Sequence, residues 1–150
     1  MKREDMPAVL RIEQASFADP WTVGMFLRDI RDNRLAHFLV AKHKGKIIGY
    51  AGLWLIGDEA HLVNLAVDLP YRKQGIGREL LMAMLKIARD KGAQKATLEV
   101  RASNLKAQEF YQHFGFRPIA IRKGYYTHPK DDAVIMWQDD LTNCGHCWST

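Results

Sequence analysis

Long hydrophobic runs are missing from this 150-residue chain. None reaches the length that crosses a bilayer as a helix, so no membrane partner is expected. The N-terminal stretch Met1–Pro7 carries charges but no apolar segment behind them, which argues against a secretory signal peptide. Cysteine is scarce too. Cys144 and Cys147 both fall in the last seven residues, so a disulfide framework is excluded. A cytoplasmic location is the expectation from these absences. Basic residues number 22 against 17 acidic ones, for a net charge of +5, yet no block of Lys and Arg resembles a nucleic-acid-binding tail. Direct nucleic-acid binding is not expected, whereas a mildly basic surface suits an anionic cofactor. Internal repeats and low-complexity segments are absent as well.

What the chain does have is the material for one globular domain. Hydrophobic residues make up 47% and charged residues 26%, and the length suffices for a proper core. Asp5 is a candidate N-cap and Pro7 suits a first helical turn, followed by an apolar face of Val9, Leu10, Ile12, Glu13 and Phe17. Asp19-Pro20-Trp21 breaks that helix. Thr22 can cap a second one carrying Met25, Phe26, Leu27 and Ile30. Three strands joined by short turns follow, over 36–41, 47–56 and 60–68, as an antiparallel meander. Gly49 and Gly52 in the middle strand predict a bulge or a close neighbour. A helix then runs to Lys91-Gly92, a strand over 95–101, and a helix over 105–114 that Ser103 can cap. Two closing strands, 116–122 and 133–138, flank a Gly124–Pro129 loop. The fold class is α/β (α+β): a mixed, mostly antiparallel twisted sheet flanked by helices. The domain covers 1–141, and 142–150 reads as a frayed tail.

The turn before the third helix carries the first chemical signal. Arg72-Lys-Gln-Gly-Ile-Gly77 links a buried strand to a helix. Free N–H groups and the macrodipole make such a helix start a site for anions. Leu80 stands where a dinucleotide fingerprint needs its third glycine, and Gly77-Arg78-Glu79 is not a P-loop ending. On spacing alone, a phosphate loop and an ordinary glycine turn capping a helix both remain open.

Arg72-x-x-Gly75-x-Gly77, after a strand ending Ala-Val-Asp, resembles the coenzyme A pyrophosphate loop of the GCN5-related N-acetyltransferases. Two further blocks strengthen the likeness. They are Leu98-Glu-Val-Arg-Ala-Ser-Asn104 with Phe110-Tyr111 and Phe114-Gly-Phe116, and Arg122-Lys-Gly-Tyr-Tyr126 with Asp132-Ala-Val-Ile-Met136. The pattern is similar to the N-terminal acetyltransferases of the RimI type, which act on the N-terminal alanine of ribosomal protein S18, and it extends to about Leu141. Two departures stand out. That family opens with a strand before the first helix, which here is missing or vestigial, and the cysteine tail lies outside its pattern.

The resemblance implies acetyl transfer from acetyl-CoA, as co-substrate, to the N-terminal α-amine of a protein, possible ribosomal partners included. An α-amine with a pKa of about 8 is mostly protonated at neutral pH, so a base must act on it and the leaving thiolate benefits from an acid. The resemblance assigns the base to Glu99 and the acid to Tyr111. Without it, Glu99 is a solvated strand carboxylate beside Arg101, and Tyr111 packs with Phe110 and Phe114. It also implies that Leu65, Ala66 and Val67 offer main-chain groups to the pantetheine arm, with Asn104 a further contact. Arg72 and the main chain of Lys73, Gln74, Gly75, Ile76, Gly77 and Arg78 would receive the pyrophosphate. Asn104 on its own reads as a capping residue. The substrate peptide would lie between Phe17–Trp21 and Gly124–Thr127, bringing Phe17, Trp21, Tyr125 and Tyr126 against it. Lysine side chains or a small-molecule amine are the alternative acceptors, and an inactive RNA- or ribosome-binding module is the reading of a different class. No metal is expected: Cys144 and Cys147 lack a second pair for zinc, and a redox Cys-x-x-Cys should precede a helix.

Overall fold

The computed structural model describes residues 1–142. The cysteine pair and all but the first residue of the expected tail lie outside the described residues. A 3-10 turn at Arg3–Asp5 leads into α1 (Met6–Ser16), then α2 (Val23–Asp32) and the meander β1 (Ala36–His43), β2 (Lys46–Ile56) and β3 (Glu59–Val67). After a 3-10 turn at Leu69–Tyr71 come α3 (Ile76–Asp90), β4 (Lys95–Arg101), α4 (Leu105–Gln112), β5 (Arg117–Thr127) and β6 (Lys130–Gln138). One six-stranded sheet has the order β1-β2-β3-β4-β6-β5, antiparallel except between β3 and β4. That is the expected mixed, mostly antiparallel sheet with helices on both faces. No strand precedes α1 among the described residues.

Each face of the sheet carries its own core. On one, Leu80, Leu81, Met84, Leu85 and Ala88 of α3 meet Ala51, Leu53, Leu62, Leu98 and Met136. Their spacing in α3 is the helical repeat that places them on one stripe. On the other face, Val9 and Ile12 of α1 and Phe26 of α2 cover Ile47, Tyr50 and Ala66. Strand β2 is buried on both sides, which explains its nearly unbroken apolar run. At Gly52 the sheet has no room for a side chain, because a Cβ would overlap the Phe38 ring. The register also shifts there: Gly52 faces Asn64 and Leu53 faces Leu62, leaving Val63 as the extra residue of a bulge.

Three local expectations are corrected. Asp5 makes no side-chain cap for α1; its carboxylate instead accepts the Lys2 N–H at 2.7 Å, closing the preceding 3-10 turn. Asn104, not Ser103, caps α4, accepting the Ala107 N–H at 3.1 Å. Ser103 is drawn away by Asp131, to which its hydroxyl donates at 2.6 Å. The Gly124–Pro129 stretch is not a loop: Gly124 to Thr127 continue β5, and the extra residues are absorbed as a register shift between Arg122 and Tyr126. Asp132 holds that shift by accepting the Gly124 N–H at 2.8 Å.

Candidate active site

The site begins where two strands part. Parallel pairing joins Glu59, Ala60 and His61 to Lys95, Ala96 and Thr97, and stops there. β4 stays with β6 as far as Arg101, while β3 follows β2 past the bulge at Val63. Bulges raise local twist, and here the two strands diverge just beyond one. The Asp68 N–H bonds Ile48 on β2 at 2.7 Å, so strand alternation also turns Ala66 toward β2. By the same alternation Leu65 and Val67 turn their main-chain groups into the gap. The Val67 carbonyl is already taken by Arg72 Nε at 2.8 Å, and Arg72 Nη2 donates to Ser16 Oγ at 3.0 Å. Arg72 therefore ties its loop to α1 and β3.

At one end of the gap lies the start of α3. Lys73 and Gly75 have φ of 63° and 85°, the left-handed region, which bends the chain sharply into the helix. No side chain caps α3, and its first helical bond is Glu79 N–H to Gly75 O at 3.0 Å. The N–H groups of Ile76, Gly77 and Arg78 therefore have no protein acceptor among the described residues. They open on a hollow of about 290 Å³ bordered by Val67, Arg72, Lys73, Gly77 and Phe110. A Cβ on Gly77 would reach the Val67 and Phe110 side chains only at 3.7 and 3.8 Å, so the glycine leaves space rather than avoiding a clash. Free amides, a positive helix end and open space fit a diphosphate.

The larger cavity, about 620 Å³, fills the gap itself. Into it the fold brings Glu99 of β4, Tyr111 of α4, and Tyr125 and Tyr126 of β5, with Phe17 and Trp21 across from them. Leu65 and Asn104 also border it, the latter with its side-chain oxygen occupied as the helix cap. Glu99 Oε2 lies 2.6 Å from His61 Nε2, and that contact holds its carboxyl below the usual range against the opposing effect of burial. Tyr111 stacks edge-on between Phe110 and Phe116, and burial pushes its phenol up to about 12. It stays protonated at neutral pH, a hydrogen-bond donor in the cavity wall. Tyr126 is likewise pushed up to about 12, and its ring lies 4.2 Å from the Arg101 guanidinium carbon.

With that geometry in place, comparison with known proteins is decisive. The family model described as "Acetyltransferase (GNAT) family" matches residues 6–116. This chain belongs to that family. It is an acetyl-CoA-dependent N-acetyltransferase. An Escherichia coli protein named ribosomal protein bS18-alanine N-acetyltransferase is 37% identical over 138 residues, 91% of this chain and 92% of its own. A Bacillus subtilis protein, provisionally given the same name, is 41% identical over 137 residues, 91% of each chain. The crystal structure of the ribosomal-protein-S18-alanine N-acetyltransferase from Escherichia coli superposes with a TM-score of 0.83 at 35% identity, covering 91% of this chain and 88% of that one.

Two features of this acetyltransferase escaped the sequence. The first is Glu13, only 2% exposed yet bordering the large cavity. It accepts the Trp21 N–H at 2.9 Å, the Tyr50 hydroxyl, and Asn64 Nδ2 at 3.4 Å. No cation pairs with it among the described residues, so burial raises its carboxyl above the ordinary value despite these donors. Through Trp21 it pins the α1–α2 connection to the cavity wall. Asn64 Oδ1, buried beside it, has no hydrogen-bond partner among the described residues. The second is His61, hidden in the apolar run of β3. Nothing local in the sequence says that His61 meets Glu99 across the parallel pair.

Proposed function

We propose that this acetyltransferase acetylates the N-terminal α-amine of a protein, with an alanine-starting, ribosomal S18-like N-terminus as its substrate. Acetyl-CoA supplies the acyl group as an activated thioester. The main chain of Ile76, Gly77 and Arg78 would receive the diphosphate, and the free edge of β3 at Leu65 would take the pantetheine arm as an added strand. Glu99 takes a proton from the substrate ammonium, and Tyr111 donates a hydrogen bond to the sulfur as negative charge develops there. Phe17, Trp21, Tyr125 and Tyr126 flank the first residues of the peptide.

The observation that carries this reading is one cavity holding a carboxylate and a protonated phenol beside an unpaired strand edge. The state of Glu99 favours an α-amine over a lysine side chain. A carboxylate kept below its ordinary pKa is a weak base, and the ammonium it must deprotonate has a pKa of about 8 at a chain terminus against about 10.4 on lysine. The relatives named above as bS18-alanine N-acetyltransferases point the same way.

The test is a panel of peptides with acetyl-CoA, read by fragment mass spectrometry. An Ala-starting peptide should gain its acetyl group on the α-amine, and the same peptide with a blocked terminus and internal lysines should gain none. Glu99→Gln should lower kcat/KM by about 10²–10⁴-fold, the usual range for a general base, and Tyr111→Phe by a smaller factor. Acetylation of lysine or of free small amines at comparable rates would overturn the substrate, and unchanged rates in both variants would remove these residues from the chemistry.

A further inference from the structure

Beyond Glu99 and Tyr111, the acceptor end sets out one more hydrogen-bond donor. Tyr126 borders the large cavity, and its phenol, raised first by burial, stays protonated at neutral pH. The hydroxyl has no hydrogen-bond partner among the described residues. The sheet holds this residue only lightly. Past the register shift that begins at Arg122, two paired positions join β5 to β6, Tyr126 with Asp131 and Thr127 with Lys130, before the chain turns at His128 and Pro129. A free donor on so short a ladder needs support from outside β5.

We infer that Arg101 is a positioning residue for the acceptor peptide: its guanidinium covers the Tyr126 ring and grips the turn beyond it, setting the Tyr126 hydroxyl in the cavity before substrate arrives. The inference rests on the proposed placement of the peptide against Tyr126 and deepens it. Strand alternation puts Arg101 two residues past Glu99 on the same face of β4. Its guanidinium carbon lies 4.2 Å from the centre of the Tyr126 ring, within reach of a cation–aromatic contact. Both terminal nitrogens are engaged as well. Nη1 donates to the Pro129 carbonyl at 2.8 Å and Nη2 to the His128 carbonyl at 3.1 Å. One planar group thus serves the ring and two carbonyls together, a task for a guanidinium rather than an ammonium.

The arginine is itself firmly based. It is the last residue of β4 paired with β6, opposite Ala133. Its carbonyl accepts the Asn104 N–H at 3.0 Å and Gln108 Nε2 at 3.1 Å, which join it to the start of α4. The β5–β6 hairpin has a second tie to this junction, where Asp131 accepts the Ser103 hydroxyl at 2.6 Å. That tie involves neither the Tyr126 ring nor the turn carbonyls. Loss of the guanidinium therefore frees the ring without detaching the hairpin. With the guanidinium present, the ring is ordered by folding and not by binding, which leaves less freedom for the peptide to remove.

Steady-state kinetics of the intact enzyme with an Ala-starting peptide test the inference. Arg101→Met keeps an unbranched apolar stem and removes the guanidinium. It should raise the peptide KM by about ten-fold, the combined weight of a ring contact and two charge-assisted hydrogen bonds. Because the lost contacts are with the resting wall, kcat should stay within about two-fold, and acetyl-CoA affinity by calorimetry should hold. Arg101→Lys should recover little of the loss, since an ammonium cannot serve ring and carbonyls together. Tyr126→Leu should raise the peptide KM by itself, and adding Arg101→Met to it should cost less than about two-fold more. An unchanged peptide KM in Arg101→Met, full recovery with lysine, or additive losses in the double variant would overturn the inference. So would a joint fall in kcat, acetyl-CoA affinity and peptide binding, the mark of a residue that only holds the fold. Should Tyr126→Leu raise KM while Arg101→Met does not, only the role of the arginine falls. A Tyr126→Leu enzyme with the wild-type KM would bring down the placement of the peptide as well.

Discussion

Glu13 and Glu99 border the same cavity and are pushed in opposite directions. Glu13 is sealed among the Trp21 main-chain amide, a phenol and a carboxamide with no cation in reach among the described residues, and burial raises its carboxyl. Glu99 is less buried and has an imidazole at 2.6 Å, which lowers its carboxyl. One carboxylate is spent on architecture, anchoring the connection that carries Phe17 and Trp21. The other is kept ionised where the proposed chemistry needs a base. Environments that drive two acids apart in this way divide structural from chemical labour within one pocket. A similar division separates the two ends of the gap: the α3 end is built from main-chain amides, the acceptor end from side chains.

The sharpest way to break this division is at the main-chain end. Gly77→Asp adds a side chain where a Cβ has ordinary contacts, and an acidic residue near a helix N-terminus is favourable to folding. It also puts negative charge where the diphosphate would sit. Calorimetry should find acetyl-CoA affinity reduced by at least about 100-fold, roughly 2.7 kcal/mol, with thermal stability unchanged or slightly higher. Unaltered affinity would move the cofactor elsewhere.

At the side-chain end the effect should fall on stability. Glu13→Ala strands the Trp21 N–H, the Tyr50 hydroxyl and Asn64 Nδ2 in a buried site, at about 1–3 kcal/mol for each donor left unsatisfied. Relief of the buried charge offsets part of this, so a net loss of about 2–3 kcal/mol in urea unfolding is expected. Acetyl-CoA affinity should hold, and KM for the peptide should rise as the α1–α2 connection loosens. A variant as stable as the wild type would show Glu13 to be a dispensable neighbour.

The smallest effect sharpens the comparison most. Glu13, raised in the folded state, binds its proton more tightly there, so its contribution improves as pH falls through the folded value toward the ordinary 4.5. Glu99, lowered, contributes fully above 4.5 and loses that contribution as pH falls through its folded value. Wild-type stability relative to Glu13→Gln should therefore grow on mild acidification, while relative to Glu99→Gln it should shrink at the acid end. Slopes of the same sign would erase the distinction between the two carboxylates.

This division also decided what could be read from the sequence. The α3 end was legible because it is local: a strand ending at Val67, two glycines and an amphipathic helix lie within one stretch. The meander and β4 were legible for the same reason, through turn residues and alternation. The acceptor end is assembled from afar. Glu13 sits at helical spacing among Val9, Ile12 and Phe17, so its pattern looks apolar, and its partners Tyr50 and Asn64 lie on two later strands. His61 is a polar residue in a mostly apolar strand, and only the parallel pairing of β3 with β4 shows its partner. Gly124 looked like a breaker because the Asp132 carboxylate that steadies it inside β5 comes from the neighbouring strand. Ser103 and Asn104 are equally good caps by residue type, and Asp131, far along the chain, settles which one caps.

Hydrogen exchange on the intact protein, with and without acetyl-CoA, tests most directly whether main chain at the parted strands holds the cofactor. Slowed exchange should appear at the amides of Leu65, Ile76, Gly77 and Arg78 and leave β1 and α2 untouched. Slowing confined to other segments, or none at saturating acetyl-CoA, would contradict it.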